Sequence, residues 1–255
     1  MILVKDTMTQ DPEYFHPQDQ VTKARSVMRD HHYRSFPVVK DARLVGIITR
    51  GDVMRVTSNK ANILVEGIMT KNIEAASPEE DLFSCAHKML KAGLSQMPVV
   101  AKDALVGIIS ASDILATFIE NKYTPKKKNV SDIMTTGVLY CEPEDELLHI
   151  WDKMYASGLS GFPVVLKGKV VGMITRMDMI REGSMRVSKE SGKGKTVHVK
   201  KAMKKPAVTI SRDASTKDAA ELMLKKKISR LPTTDEKDRL VGIVDIEDIL
   251  RAYAG

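Results

Sequence analysis

Leu44-Val45-Gly46-Ile47-Ile48-Thr49-Arg50-Gly51-Asp52 decides the fold, because the chain returns to it three more times. LVGIISASD stands at 105–113, VVGMITRMD at 170–178 and LVGIVDIED at 240–248. Six positions separate glycine from aspartate in every copy: Gly46 to Asp52, Gly107 to Asp113, Gly172 to Asp178, Gly242 to Asp248. Upstream lie four prolines in matching surroundings, in Phe36-Pro37-Val38-Val39, Met97-Pro98-Val99-Val100, Phe162-Pro163-Val164-Val165 and Leu231-Pro232-Thr233-Thr234. Met8, Met69, Met134 and Met203 each precede that proline by 29 residues. A period held this strictly marks a repeat architecture.

Periodicity assigns the elements within one copy. Between methionine and proline the pattern predicts a short strand and then an amphipathic helix. In copy 2, Leu82, Cys85, Ala86, Met89 and Leu90 share one helical face. Leu147, Trp151, Met154 and Tyr155 in copy 3, and Ala219, Ala220, Met223 and Leu224 in copy 4, follow the same spacing. The PVV and VGII runs are short and β-branched, as buried strands are, and the segment after each aspartate reads as a second helix. The expected fold class is α/β, four β-α-β-β-α repeats. One repeat buries little surface by itself, so repeats should pair into two tandem modules.

The 255 residues are 43% hydrophobic and 29% charged, which suits a globular chain. No stretch approaches the roughly 20 apolar residues of a membrane helix, and MILVKDTMTQD is too short an apolar run for a signal peptide. The expected setting is the cytoplasm. Residues 181–205 hold nine Lys or Arg and two Glu, a surplus of 9 − 2 = +7, equal to that of the whole chain. Basicity therefore belongs to one Gly/Lys/Ser-containing linker, a candidate contact for nucleic acid, and not to the fold. Gly194-Lys195-Thr196 lacks the upstream glycine of a phosphate loop, because Lys189 stands there, and strand-like VHV follows it. Cys85 and Cys141 match no metal spacing and read as core residues. His31-His32 has no ligand pattern around it, so no metal site is expected. No nucleophile elbow or phosphate loop is present, so no enzyme activity and no cofactor are expected.

The order of methionine-threonine start, helix, hPVV strand, turn, VGII strand and S/T-x-x-D resembles the CBS motif, named for cystathionine β-synthase, over nearly the whole chain. Four such motifs resemble the layout of the gamma subunit of AMP-activated protein kinase. The resemblance implies two Bateman modules, 1–122 (motifs about 1–58 and 63–122) and 123–255 (motifs about 128–184 and 197–255), divided near Lys126-Lys127-Lys128. It also implies a regulatory sensor of AMP, ADP or ATP, acting on a separate protein and self-associating as a homodimer. In such a site the aspartate grips ribose hydroxyls and the Ser or Thr lies near phosphate. The partner motif's opening loop contacts adenine. Thr49 and Asp52 would then face Thr70-Lys71, and Ser110, Ser112 and Asp113 would face Thr9-Gln10. Thr175 and Asp178 would face Lys205-Pro206, and Asp248 would face Thr135-Thr136. Copy 2, with two hydroxyls, ranks first. Copy 4 departs from the pattern, since Asp245 and Glu247 place carboxylates where phosphate would lie. Arg230 matches a phosphate-binding position of the kinase subunit and could serve a neighbouring site, with Arg34 as a weaker candidate.

Elementary chemistry accepts that assignment, because a carboxylate can take two hydrogen bonds from a cis-diol. It accepts a plainer one as well. S/T-x-x-D at a helix start is a capping box, and Asp245 is itself a good N-cap. A ligand-independent oligomerisation scaffold, an S-adenosylmethionine binder and a nucleic-acid binder stay open as alternatives to the nucleotide sensor.

Overall fold

The computed structural model describes residues 1–31, 33–56, 62–182 and 196–255. Copy 1 runs β1 (Thr9–Gln10), α1 (Val21–His31), β2 (Ser35–Lys40), β3 (Arg43–Thr49) and α2 (Arg50–Arg55). Copy 2 has α3 (Leu82–Lys91), β4 (Gln96–Ala101), β5 (Ala104–Ser110) and α4 (Ala111–Glu120). Copy 3 has α5 (Leu147–Ser157), β6 (Gly161–Leu166), β7 (Lys169–Thr175) and α6 (Arg176–Glu182). Copy 4 has α7 (Val199–Ala202), β8 (Ile210–Ser211), α8 (Thr216–Lys226), β9 (Arg230–Thr234), β10 (Leu240–Asp245) and α9 (Ile246–Ala254).

The hairpin is the rigid part of each copy. Ser35 pairs with Thr49 and Lys40 with Arg43, and the same register joins Gln96 to Ser110 and Gly161 to Thr175. A bulge falls at the same place in these three copies, between the two valines of PVV. Their turns have two central residues at positive φ: Asp41 and Ala42, Lys102 and Asp103, Lys167 and Gly168. That geometry matches the right-handed twist of the strands it joins. The hairpin thereby delivers Thr49, Ser110 or Thr175 to the start of the second helix at one fixed height. In copy 4 the turn is longer, and Asp235 closes it by accepting bonds from the backbone of Lys237 and Arg239.

Copies 1 and 2 share one sheet, in which β3 and β5 meet at Arg43 and Ala104. Copies 3 and 4 meet at the equivalent place, through a bridge between Lys169 and Arg239. Within each pair, the opening segment of one copy crosses the glycine strand of the other. A Cβ at Gly46 would lie 2.4 Å from Met69 Sδ, and one at Gly107 would lie 2.5 Å from Met8 Sδ. Gly172 faces Met203 and Gly242 faces Met134 in the same reciprocal way. The recurrent glycine and the recurrent methionine are thus two halves of one contact, exchanged between copies.

The two pairs meet helix to helix. Copies 2 and 4 merge into one core, where Phe118 stacks against Phe83 with centroids 4.4 Å apart and on Tyr253 at 6.3 Å. Copies 1 and 3 keep separate cores, around Phe36 and Phe162. In copy 1, buried Arg25 donates to the carbonyls of Val53 and Val56 and so ties α1 to the end of α2.

Several expectations need correction. The short strand expected between methionine and proline is an element in copy 1 (Thr9–Gln10) and copy 4 (Ile210–Ser211), whereas in copies 2 and 3 Thr70 and Ala76, and Thr135 and Cys141, make single bridges there. Tyr155 does not join the copy 3 core, being 68% exposed, and Ile150 takes the buried place beside Leu147 and Met154. VHV is not a strand: His198 precedes α7, and Val199 is its first residue. Of the basic linker, residues 183–195 lie outside the described residues, as do His32, Gly194 and Lys195.

Candidate functional site

The three S/T-x-x-D elements and the Asp245-x-x-Asp248 element of copy 4 all close as capping boxes. Asp52 Oδ2 accepts from Thr49 N at 2.8 Å and from its hydroxyl at 2.7 Å, while Asp52 N donates back to Thr49 Oγ1 at 3.3 Å. Ser110 and Asp113 repeat those three distances, and Thr175 and Asp178 make the same bonds. In copy 4, Asp245 Oδ1 accepts from Glu247 N and Asp248 N, and Asp248 Oδ2 accepts from Asp245 N at 3.0 Å. Capping therefore occupies one carboxylate oxygen in each box and leaves the other, Oδ1, to face the cleft.

The Oδ1 environments differ. Arg55 lies 3.5 Å from Asp52 Oδ1, Lys204 lies 3.9 Å from Asp178 Oδ1, and Arg251 lies 3.5 Å from Asp248 Oδ1. Asp52 and Asp178 are buried, whereas Asp113 and Asp248 are half-buried.

The partner copy's opening segment runs beside each box. Thr70 and Ile47 exchange two backbone hydrogen bonds of 2.9 Å, two residues before Thr49. Thr9 and Gln10 pair with Ile108 and Gly107, just before Ser110. Thr135 is bonded to Ile243 at 2.8 and 3.0 Å, and Lys204 to Met173 at 3.0 and 2.9 Å. The structure thus brings Thr70 to the strand that leads to Thr49 and Asp52, and Thr9-Gln10 to the strand that leads to Ser110, Ser112 and Asp113. It likewise brings Thr135-Thr136 to the strand that leads to Asp248. In copy 3 the residue beside the box is Lys204; Lys205 and Pro206 follow it and are exposed. Register alone gives Lys204, which follows Met203 as Thr9, Thr70 and Thr135 follow their methionines, so the expectation of Lys205-Pro206 stands one residue too late.

Four arginines gather between the pairs. Arg230 donates to Ser160 Oγ of copy 3 at 2.9 Å and stands 3.9 Å from Asp245. Arg176 is braced by the carbonyls of Met154 and Gly158, and one of its nitrogens lies 3.3 Å from where a Cβ at Gly51 of copy 1 would be. Arg50 donates through Nε to the Tyr33 carbonyl at 2.8 Å. Burial lowers the pKa of Arg50 to about 10, and the like charges of Arg34 and Arg181 add to that effect. Arg176 is lowered by burial, then by Arg230 and Arg55; Arg34 is lowered by burial, then by Arg230. Arg34 and Arg176 feel Arg230 of copy 4, and Arg50 feels Arg181 of copy 3. Carboxylates stand among them: Asp245 and Glu247 act on Arg34, Asp178 on Arg50 and Asp52 on Arg176. Sequence shows Arg50 and Arg176 only as neighbours of Thr49 and Thr175; what it does not carry is the approach of Arg176 to Gly51 across the seam between copies 1 and 3.

In copy 4, carboxylates crowd. Burial pushes Asp248 up to about 6, and the charge of Asp245 also raises it. Glu247 is raised by burial and then by Asp245. A cavity of about 310 Å³ lies farther out, lined by Val138, Tyr140, Val165, Leu240 and Val241 among others, at the opposite end of β10 from Asp248. Burial raises the Cys85 and Cys141 thiols to about 12, so neither is poised as a nucleophile. Among the described residues, no group of three or more His, Cys, Asp or Glu side chains could hold a metal ion, and no helix is long and apolar enough to cross a membrane.

Known proteins match this arrangement along its whole length. The family model for the CBS domain matches four times, at residues 4–59, 65–120, 130–184 and 199–255. The uncharacterized protein MJ1225 of Methanocaldococcus jannaschii is 25% identical over 94% of either chain. Its crystal structure, described as a candidate archaeal homolog of g-AMPK, superposes with a TM-score of 0.87 over 98% of this chain and 99% of that one, at 23% identity. An uncharacterized conserved protein from Pyrococcus horikoshii reaches 0.70, with the same coverage and 22% identity. Both likenesses show the fold. The inosine-5′-monophosphate dehydrogenase of M. jannaschii is 31% identical over 125 residues, 49% of this chain but 23% of that enzyme.

Proposed function

Because the chain belongs to the CBS domain family, with four copies of the domain along it, we propose that it is a regulatory sensor of adenine nucleotides acting on a partner protein. The units are the pairs at residues 1–122 and 123–255, and the ligand lies between the copies of a pair. The aspartate's Oδ1 accepts from ribose hydroxyls, since capping already holds Oδ2. The partner's opening segment, with its exposed backbone, borders the base. The phosphates point inward to the arginines.

One observation carries this reading: Arg34, Arg50, Arg176 and Arg230 converge between the pairs, close to two T-R-x-D boxes. A helix cap needs no such gathering. Packing partly buried like charges together costs stability, and an anion of matching charge offsets that cost. Arginine suits the task because its planar fork binds phosphate oxygens in pairs. A ligand held by both pairs would change how they present themselves to a partner, with no chemistry performed by the chain itself.

Calorimetric titration of nucleotide-stripped protein with AMP, ADP and ATP tests the proposal. Micromolar binding, about −8 kcal/mol, is expected for at least one of them. Arg176→Gln and Arg230→Gln should each weaken it tenfold or more. No heat with any of the three would leave the boxes as helix caps and remove the sensor reading.

A further inference from the structure

The four clefts do not carry the same charge. In copy 1 the box contains Arg50, the facing loop has Lys71, and Arg55 stands three residues past the aspartate. Copy 3 repeats this with Arg176, with Lys204 and Lys205, and with Arg181. In copy 2 all three positions lose the cation: Ala111 replaces the box arginine, Gln10 replaces the loop lysine, and Ala116 replaces the third. The next loop residue, Asp11, adds a negative charge. Among the described residues no Lys or Arg nitrogen is within 4.0 Å of Asp113, unlike the other three aspartates. Of the two arginines that its own pair brings to the centre, Arg50 belongs to the copy 1 box, and Arg34 lies within electrostatic reach of Arg230, Asp245 and Glu247 of copy 4.

What surrounds Asp113 is polar and uncharged. Ser110 gives its hydroxyl to the carboxylate at 2.7 Å, Ser112 precedes it, and Thr7 and Thr117 touch through their hydroxyls at 3.2 Å. Such a cleft can grip a diol, because Asp113 Oδ1 is a charged acceptor with no cation to satisfy it. It cannot hold a phosphate well. A phosphate dianion would sit near a carboxylate with nothing to neutralise either charge.

We propose that the copy 2 cleft takes an adenosyl ligand without phosphate, whereas the basic clefts of copies 1 and 3 take the phosphorylated one. The chain then reads two ligands of opposite phosphorylation state within a single pair. This rests on the adenosyl-binding reading above and adds the discrimination between clefts.

The test titrates the intact, nucleotide-stripped chain with adenosine and with AMP, using wild type, Asp113→Asn and Gln10→Lys. Asp113→Asn should remove one class of adenosine site and leave the AMP isotherm unchanged. Gln10→Lys changes an exposed side chain to the residue found in the copy 1 cleft. It should create an additional AMP site, bound at least tenfold tighter than AMP binds copy 2 in wild type. Loss of AMP binding in Asp113→Asn with adenosine unaffected would overturn the proposal, as would no response of AMP binding to Gln10→Lys. AMP bound without any adenosine would sink this inference and spare the sensor reading. Adenosine bound through Asp113 with no AMP, ADP or ATP bound anywhere would remove the sensor reading and overturn the assignment of copies 1 and 3, leaving only the copy 2 cleft as stated. Binding of neither would remove both.

Discussion

At the scale of single residues, Asp248 is a carboxyl that its surroundings push well above its ordinary range. Its carboxyl stands at about 6 against an ordinary 3.8, because burial and the neighbouring Asp245 charge both oppose ionisation. A carboxyl raised in the folded state binds its proton more tightly there than in the unfolded chain. The stability it contributes is complete below about 3.8, the unfolded value, and is lost as pH rises through about 6. Asp248→Asn keeps an acceptor for the Asp245 backbone N–H but cannot ionise. The variant should therefore gain on wild type by on the order of 1–3 kcal/mol between pH 4 and pH 7. Denaturant melts of both proteins at several pH values check this, and a gap constant across the range would refute it. The box aspartate was visible in the sequence as a candidate ligand group. That it sits among unfavourable neighbours in copy 4 alone follows from Asp245 and Glu247, which the sequence also displays.

At the scale of elements, the glycine strand and the methionine opening form an interlock that either copy lacks alone. The three atoms nearest a Cβ at Gly46 all belong to the Met69 side chain, whereas a Cβ at Gly172 would lie 2.9 Å from the Lys204 backbone carbonyl as well. The two sites should answer differently to the same change. Gly46→Ala overpacks a flexible side chain and should cost about 1–3 kcal/mol, most of it recovered when Met69→Ala makes room. Gly172→Ala should cost as much and recover little with Met203→Ala, because the carbonyl cannot withdraw. Double-mutant cycles read the two coupling energies; equal recovery would contradict the geometry. The 29-residue spacing made both partners legible as markers but not as a contact, since period arguments treat each copy separately. Leu147 and Met154 followed their helical stripe into the core. Tyr155 stays exposed, whereas the equivalent Leu90 of copy 2 and Leu224 of copy 4 pack against the core that those two copies share. Repeat pattern predicts which faces are apolar, not which of them find a partner.

At the scale of the whole molecule, contact between the pairs is uneven. Copies 2 and 4 share a continuous core through α3, α4, α8 and α9, while copies 1 and 3 touch mainly through the short α2 and α6 beside their arginines. Phe118 lies at the centre of the joint and is fully buried. Phe118→Ala should cost about 3–5 kcal/mol, and the damage should cross the boundary between pairs. Hydrogen exchange ought to speed up in α9 of copy 4 as well as in α4, whereas a response confined to copy 2 would mean that the cores are independent. The arginine seam and the merged core were the parts least legible beforehand, because both depend on how two pairs dock. Docking is decided by surface shape and charge, which no spacing within one repeat encodes.

The merged core also bears on what the connection between the pairs is for. Residues 121–128 cross exposed ground except at Pro125; Lys126 N donates to the Ala252 carbonyl, Thr216 N donates to that of Lys128, and Tyr123 packs edge-on against Phe83 and Phe118. The joint itself is made of side chains from either side of that crossing. The covalent link therefore acts as a tether that raises local concentration, not as a strut that sets the geometry. Two polypeptides cut there and produced in one cell should find each other and purify together, a split protein that reassembles without its hinge.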